Sequence, residues 1–130
     1  VIAIDTNILV RVVTQDDPAQ SPKAAEVLKS PKIWLPKTVL LETAWVLEHA
    51  YDLPKSTVIA TLRLIIGYEN MVVEGAAEAT RALAWTEGGM DFADALHLAS
   101  SQSADEFVTF DDGLARRARS LHGIRVRLAG

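Results

Sequence analysis

The chain contains no cysteine, which excludes disulfides and any thiolate-ligated zinc or iron–sulfur centre. Aromatic residues are scarce, at 6%. Trp34, Trp45 and Trp85 are not interleaved with basic residues, so they read as core or interface anchors and not as a stacking platform for bases. No apolar stretch approaches the roughly 20 residues needed to cross a bilayer. No basic segment precedes an apolar block at the N-terminus, so neither a secretory signal nor membrane association is expected, and a cytoplasmic location is. His49, His97 and His122 lack an i, i+4 histidine partner, which rules out a zinc-protease pair. Structural roles are expected for them, although His97 is close enough in sequence to Asp94 to bond near it. No glycine-rich loop follows the first apolar run, which disfavours a nucleotide-binding module.

Positive charge is also in short supply. The formal net charge of -4 argues against a protein that holds nucleic acid by bulk electrostatics. That objection weakens if several acids share a metal site, because two divalent cations would offset the deficit locally. Nine of the 13 basic residues fall in two groups, Arg116, Arg117, Arg119, Arg125 and Arg127 near the end and Lys23, Lys29, Lys32 and Lys37 earlier. Solvated helix faces explain both groups as well as a ligand does.

What is present is a folded composition, 49% apolar and 23% charged over 130 residues, of a size that fits one domain spanning 1–130. Val1–Ile4 has the form of a short strand buried on both faces. A helix starting near Asn7, capped by Thr6 or Asn7, is expected to Val13, and another after Asp16-Asp17-Pro18 to about Leu28. Ile33–Leu35 reads as a second strand, Thr38 to Tyr51 as a strongly apolar helix, and Ser56 to Ile66 as the next. Met71–Val73 is a third strand, Ala76 to Trp85 a helix, and Asp91 the cap of a helix reaching Ser101. Phe107–Phe110 is a fourth strand, Leu114–Arg119 a helix, and Ile124–Val126 a last strand. Short apolar strands alternating with helices predict an α/β fold with a parallel sheet covered on both faces.

Four acids interrupt apolar runs: Asp5 after Val-Ile-Ala-Ile, Glu42 in Val-Leu-Leu-Glu-Thr-Ala-Trp, Asp94 in Asp-Phe-Ala-Asp-Ala-Leu-His, and Asp111 after Phe-Val-Thr-Phe. Buried carboxylates need partners, and no Lys or Arg lies within three residues of any of them. A shared metal ion would satisfy all four. Asp5 and Asp111 both follow strands, on the edge where parallel α/β sheets collect their functional groups. Hard cations such as Mg²⁺ or Mn²⁺ prefer such oxygen ligands. Each acid also has a simpler role open to it. Asp5 can cap the following helix, Asp94 can complete a capping arrangement with Asp91, Asp111 or Asp112 can form an Asp-Gly turn, and Glu42 can be solvated.

With these residues placed, the chain resembles the PIN-domain family, and within it the VapC-type toxins of toxin–antitoxin pairs. The resemblance rests on Ile4-Asp5-Thr6-Asn7, on Leu41-Glu42-Thr43 in the apolar helix, on the run Asp91 to Ala99, and on Val108-Thr109-Phe110-Asp111. It implies a three-layer α/β/α sandwich around a parallel sheet and a metal-dependent endoribonuclease. As a toxin the protein would be held in check by a cognate antitoxin, and it would form a homodimer. The family's acidic quartet carries over onto Asp5, Glu42, Asp94 and Asp111, with one or two Mg²⁺ or Mn²⁺ ions as cofactor. Thr6, Asn7 and Thr109 would hydrogen-bond the carboxylates and fix their rotamers. Asp112, next to Asp111, leaves the fourth position ambiguous, and the motif register favours Asp111. The implied reaction is hydrolysis of RNA phosphodiesters by water activated at the cation.

Other readings compete. An aspartyl-phosphate enzyme would want a second Asp two residues after Asp5, where Asn7 stands. A receiver-like domain would want a lysine after a late strand, and Arg125 and Arg127 are poor equivalents. Within the family, an RNA-processing or decay nuclease without an antitoxin and a binding-only scaffold are the alternatives. Leu40, Leu41, Val46, Leu47, Val58, Ile59, Leu62, Ile65 and Ile66 could either line a dimer or antitoxin surface or fill the core.

Overall fold

The computed structural model describes residues 1–130 and contains two compact units, Val1–Ala76 and Ala77–Gly130. Both are α/β, and every strand pairing is parallel, as the alternation of short strands and helices predicts.

In the first unit, strands β1 (Ile2–Ala3), β2 (Ile33–Leu35) and β3 (Met71–Val73) lie in the order β1-β2-β3. Parallel neighbours need long crossovers. Helices α1 (Thr6–Thr14) and α2 (Gln20–Val27) supply the first; α3 (Lys37–Trp45) and α4 (Lys55–Ile66) supply the second. Ile2 pairs with Ile33, which pairs with Met71. Ile33 and Leu35 are fully buried, together with Leu40, Leu47 and Leu62. The expected burial of the first strand on both faces is not found: Ile2 and Ala3 are exposed, and only Ile4 beyond them is buried. β1 is the edge of its three-stranded order, with β2 as its one neighbour.

The long apolar helix after β2 is not uniform. It ends as an α-helix at Trp45 and continues as a π-helical turn, Val46–Ala50. Apolar periodicity shows which face is buried but not where the hydrogen-bond ladder widens by one residue. Of the nine apolar residues that could have formed a surface, Leu40, Leu47, Val58, Ile59, Leu62 and Ile65 are buried, and Leu41, Val46 and Ile66 are half-buried. The six buried residues fill the core. The large apolar residues left exposed on these helices are Trp45 and Leu64.

A polar network ties the end of α1 to the π-helical turn. Tyr51 donates to Asp16 at 2.7 Å, and Arg11 donates to Asp16 at 3.1 Å and to Tyr51 at 3.3 Å. Thr14 donates to the same carboxylate at 2.7 Å. These hydroxyls, with the Arg11 guanidinium, hold the Asp16 carboxyl down at about 2.

The second unit comprises α5 (Ala76–Glu87, whose first residue belongs to the first unit), α6 (Phe92–Ala99), β4 (Phe107–Thr109), α7 (Asp112–Ala118) and β5 (Val126–Leu128). Gly89 turns the chain between α5 and α6 at φ 117, a conformation open essentially to glycine. Ala79, Ala82, Leu83, Ala95, Leu98 and Leu114 form its core. Phe107 pairs with Val126 and Thr109 with Leu128, so the last strand lies two residues further along than expected. Ile124 precedes it, and Arg127 uses its exposed position to pair with Glu106 at 2.9 Å.

Candidate functional site

Asp5 ends the first strand segment in an extended conformation (φ -89, ψ 162) and is the N-cap of α1. Its Oδ1 accepts from the Thr6 N–H at 2.7 Å. The expectation that Thr6 or Asn7 caps this helix is therefore corrected: the carboxylate one residue earlier does so, because anions are favoured at a helix N-terminus. One oxygen anchors the cap, so the carboxylate rotamer is fixed while the other oxygen has no protein partner.

That cap frees Thr6 for a different role. Thr6 is buried, at 4% exposure, and its hydroxyl donates to Oε1 of Glu42 on α3. This short bond between distant segments brings the first and second sequence motifs together within one unit. Glu42 itself is exposed, as is Asp5. The premise that each acid is buried in apolar surroundings is thus not what the fold delivers. Asp5, Glu42 and Asp111 are exposed and Asp94 half-buried, and several apolar neighbours are exposed with them, Ile2 before Asp5, Trp45 after Glu42, and Val108 and Phe110 before Asp111. Asn7 makes no bond to either acid. It lines a cleft of about 240 Å³ between α1 and α2 with Arg11, Gln20 and Lys23.

In the second unit, Asp91 caps α6 by accepting from the Asp94 N–H at 3.3 Å. Asp94 is half-buried one turn in. Its carboxyl is raised above the usual range, first by desolvation and then by the negative charges of Asp91 and Asp111. His97 and Arg117 act in the opposite direction. Asp94 and Asp111 therefore feel each other's charge, and nothing in the sequence spacing alone required that.

Asp111 is held from both sides. Its own N–H donates to Oγ1 of Thr109 at 3.0 Å, and its Oδ1 accepts from the Leu114 N–H at 3.0 Å, capping α7. Thr109 thus acts on the backbone of Asp111 and not on its carboxylate. Asp112 points elsewhere, pairing with Arg116 at 3.9 Å on an exposed helix face. Of the two adjacent acids, Asp111 is the one whose charge reaches Asp94.

The acids come in pairs: Asp5 with Glu42 through Thr6, and Asp94 with Asp111. Nowhere do three or more His, Asp or Glu side chains gather closely enough to form a ready-made cage. Sequence reasoning missed the charge of Asp91 beside Asp94 and the approach of Arg117. Asp91 was legible as a cap, and Arg117 comes near because it stands one helical turn after Gly113 on α7, with its guanidinium on the side of Asp111. No helix is long and apolar enough to cross a membrane.

Comparison with the curated proteins finds no match. The PIN domain profile matches residues 2–120, a range that contains Asp5, Glu42, Asp94 and Asp111 with the hydrogen bonds described above. The chain belongs to the PIN-domain family.

Proposed function

We propose that the protein is a metal-dependent endoribonuclease that acts as the toxin of a toxin–antitoxin pair. Family membership carries the coarser part, a metal-dependent nuclease, since PIN domains in general have that activity. The observation that best supports chemistry here is Asp94 beside Asp111: the Asp94 carboxyl is raised first by desolvation and then by the charges of Asp91 and of Asp111 at the start of α7. An all-oxygen donor set under mutual repulsion is suited to a hard divalent cation. The ligands we assign are Asp5, Glu42, Asp94 and Asp111, for one or two Mg²⁺ or Mn²⁺ ions.

When bound, such an ion supplies charge neutralisation at the phosphoryl oxygens and a lowered pKa for attacking water. The chain's own groups prepare for it. The Thr6 hydroxyl fixes the Glu42 carboxylate, the α1 and α7 N-terminal amides fix Asp5 and Asp111, and Thr109 fixes the backbone that carries Asp111. These bonds set ligand rotamers before substrate arrives, which is where supporting contacts contribute most.

For the antitoxin, the supporting feature is an apolar groove of about 330 Å³ on the first unit, lined by Leu9, Val13, Leu64, Ile65, Tyr68 and Met71 among others. Leu64 is 73% exposed there, which fits a surface that a protein segment covers. Homodimerisation, with the exposed Trp45 as an anchor, belongs to the same proposal.

The test is cleavage of total RNA by purified protein with Mg²⁺ or Mn²⁺, with EDTA, and with Asp94→Asn. Discrete fragments that vanish with EDTA and in the variant are expected. Full activity in folded Asp94→Asn would refute the assignment. Expression alone is expected to arrest growth, and Asp94→Asn to relieve the arrest. Cleavage without arrest would instead favour an RNA-processing nuclease.

A further inference from the structure

Among the five arginines of the C-terminal region, Arg116 and Arg127 have carboxylate partners, Asp112 and Glu106. Arg117 has none, and its guanidinium lies on the same side of α7 as Asp111. A Cβ built on Gly113 would meet Asp111 Oδ1 at 3.3 Å, Arg117 Nη1 at 3.4 Å and Arg117 Nη2 at 3.6 Å. Carboxylate and guanidinium thus both reach the same point on α7. The Arg117 charge also reaches Asp94, where it opposes the effect of Asp91 and Asp111. A guanidinium is a planar, permanently charged fork suited to phosphate oxygens. Held beside two carboxylates without being saturated by either, its N–H groups remain available to an incoming anion.

We propose that Arg117 is a phosphate-binding residue of the nuclease, holding the RNA backbone beside the Asp94–Asp111 pair. This rests on the nuclease reading above and names the cation that an acidic protein needs where its substrate is most negative.

The test compares wild type, Arg117→Gln and Arg117→Lys, each shown folded by circular dichroism. The first readout is the dissociation constant for a fluorescein-labelled single-stranded RNA in EDTA, measured by anisotropy from 0.05 to 0.5 M KCl as a chosen range of about one decade. A lost phosphate contact removes about 0.7 from the slope of log affinity against log salt, which is about fivefold in affinity over one decade of salt. Arg117→Gln is expected to show that loss, and Arg117→Lys to keep the slope. The second readout is Mn²⁺ binding by calorimetry without RNA, expected to tighten in Arg117→Gln because a competing cation has gone.

Tighter Mn²⁺ binding with an unchanged salt slope would overturn the proposal, leaving Arg117 as an internal counter-charge only. A lysine variant as weak as the glutamine variant, with the same reduced slope, would overturn it as well. If wild type cleaves RNA in Mg²⁺ while all three proteins bind RNA alike, this inference fails and the nuclease reading stands. If wild type neither binds nor cleaves RNA, both fail together.

Discussion

The bond from Thr6 to Glu42 is the feature whose energetic worth can be worked out most directly. Thr6 is buried at 4% exposure, and its hydroxyl donates to a carboxylate oxygen 36 residues away. Hydrogen bonds to charged groups contribute about 1.5–3 kcal/mol when both partners are desolvated. Glu42 is exposed, so water recovers part of that when the bond is lost, and the net figure falls to about 0.5–1.5 kcal/mol. Thr6→Val keeps the shape of the side chain and replaces the hydroxyl with a methyl suited to a buried position. The expected destabilisation is therefore about 1 kcal/mol, a Tm drop of roughly 3–6 °C for a chain of this size. A double-mutant cycle with Glu42→Gln isolates the pair, and a coupling of about 0.5–1 kcal/mol in urea melts is expected. RNA cleavage by Thr6→Val should fall along with it, since Glu42 loses its fixed rotamer. A coupling indistinguishable from zero would refute the reasoning, because the buried threonine would then be stabilised by its packing and not by the acid it faces.

Three other outcomes follow from the same structure. Asp111→Asn should raise the stability of the metal-free protein by removing repulsion on Asp94, and should abolish the stabilisation that Mg²⁺ gives wild type, about 2.7 kcal/mol at a hundredfold excess over Kd; an unchanged Mg²⁺ response in thermal melts would remove Asp111 from the ligand set. Asp16, with its carboxyl at about 2, binds its proton less readily folded than unfolded, so its contribution is full above the ordinary Asp range near 4 and is lost as pH falls from there to about 2. Melts between pH 6 and pH 2, a window set around those values, should therefore show wild type losing stability faster than Asp16→Asn, and parallel curves would contradict the network around Tyr51. Gly89→Ala places a side chain at φ 117, which should cost about 1–3 kcal/mol; an unchanged Tm would mean the turn between α5 and α6 relaxes at no cost.

How much of this was legible in the sequence depends on the range of the interaction concerned. Ile33–Leu35 and Met71–Val73 were readable to the residue, because a three-residue apolar run bounded by Pro, Lys or Asn has few other uses. Caps were readable in part: Asp5 and Asp91 each precede a helix and accept from its amides, whereas Asp111, read as part of an Asp-Gly turn, is the cap of α7. What local pattern cannot carry is direction. The acids interrupt apolar runs, yet Asp5, Glu42 and Asp111 are exposed and so are Ile2, Val108 and Phe110 beside two of them, so the argument from buried charge rests on a premise the fold does not meet. The replacement premise is tertiary placement: Asp94 is perturbed first by desolvation and then by Asp91 and Asp111, and Glu42 is held by Thr6; of these partners only Asp91 follows from sequence spacing. Arg117 shows the same limit from the other side. In sequence it is one of five arginines on what reads as a solvated face. Its guanidinium lies one helical turn on from Gly113, on the side of Asp111, whereas its neighbour Arg116 pairs with Asp112. A site of paired acids with one unspent cation beside it is thus a product of tertiary geometry, and it is there that substitutions should separate catalysis from folding.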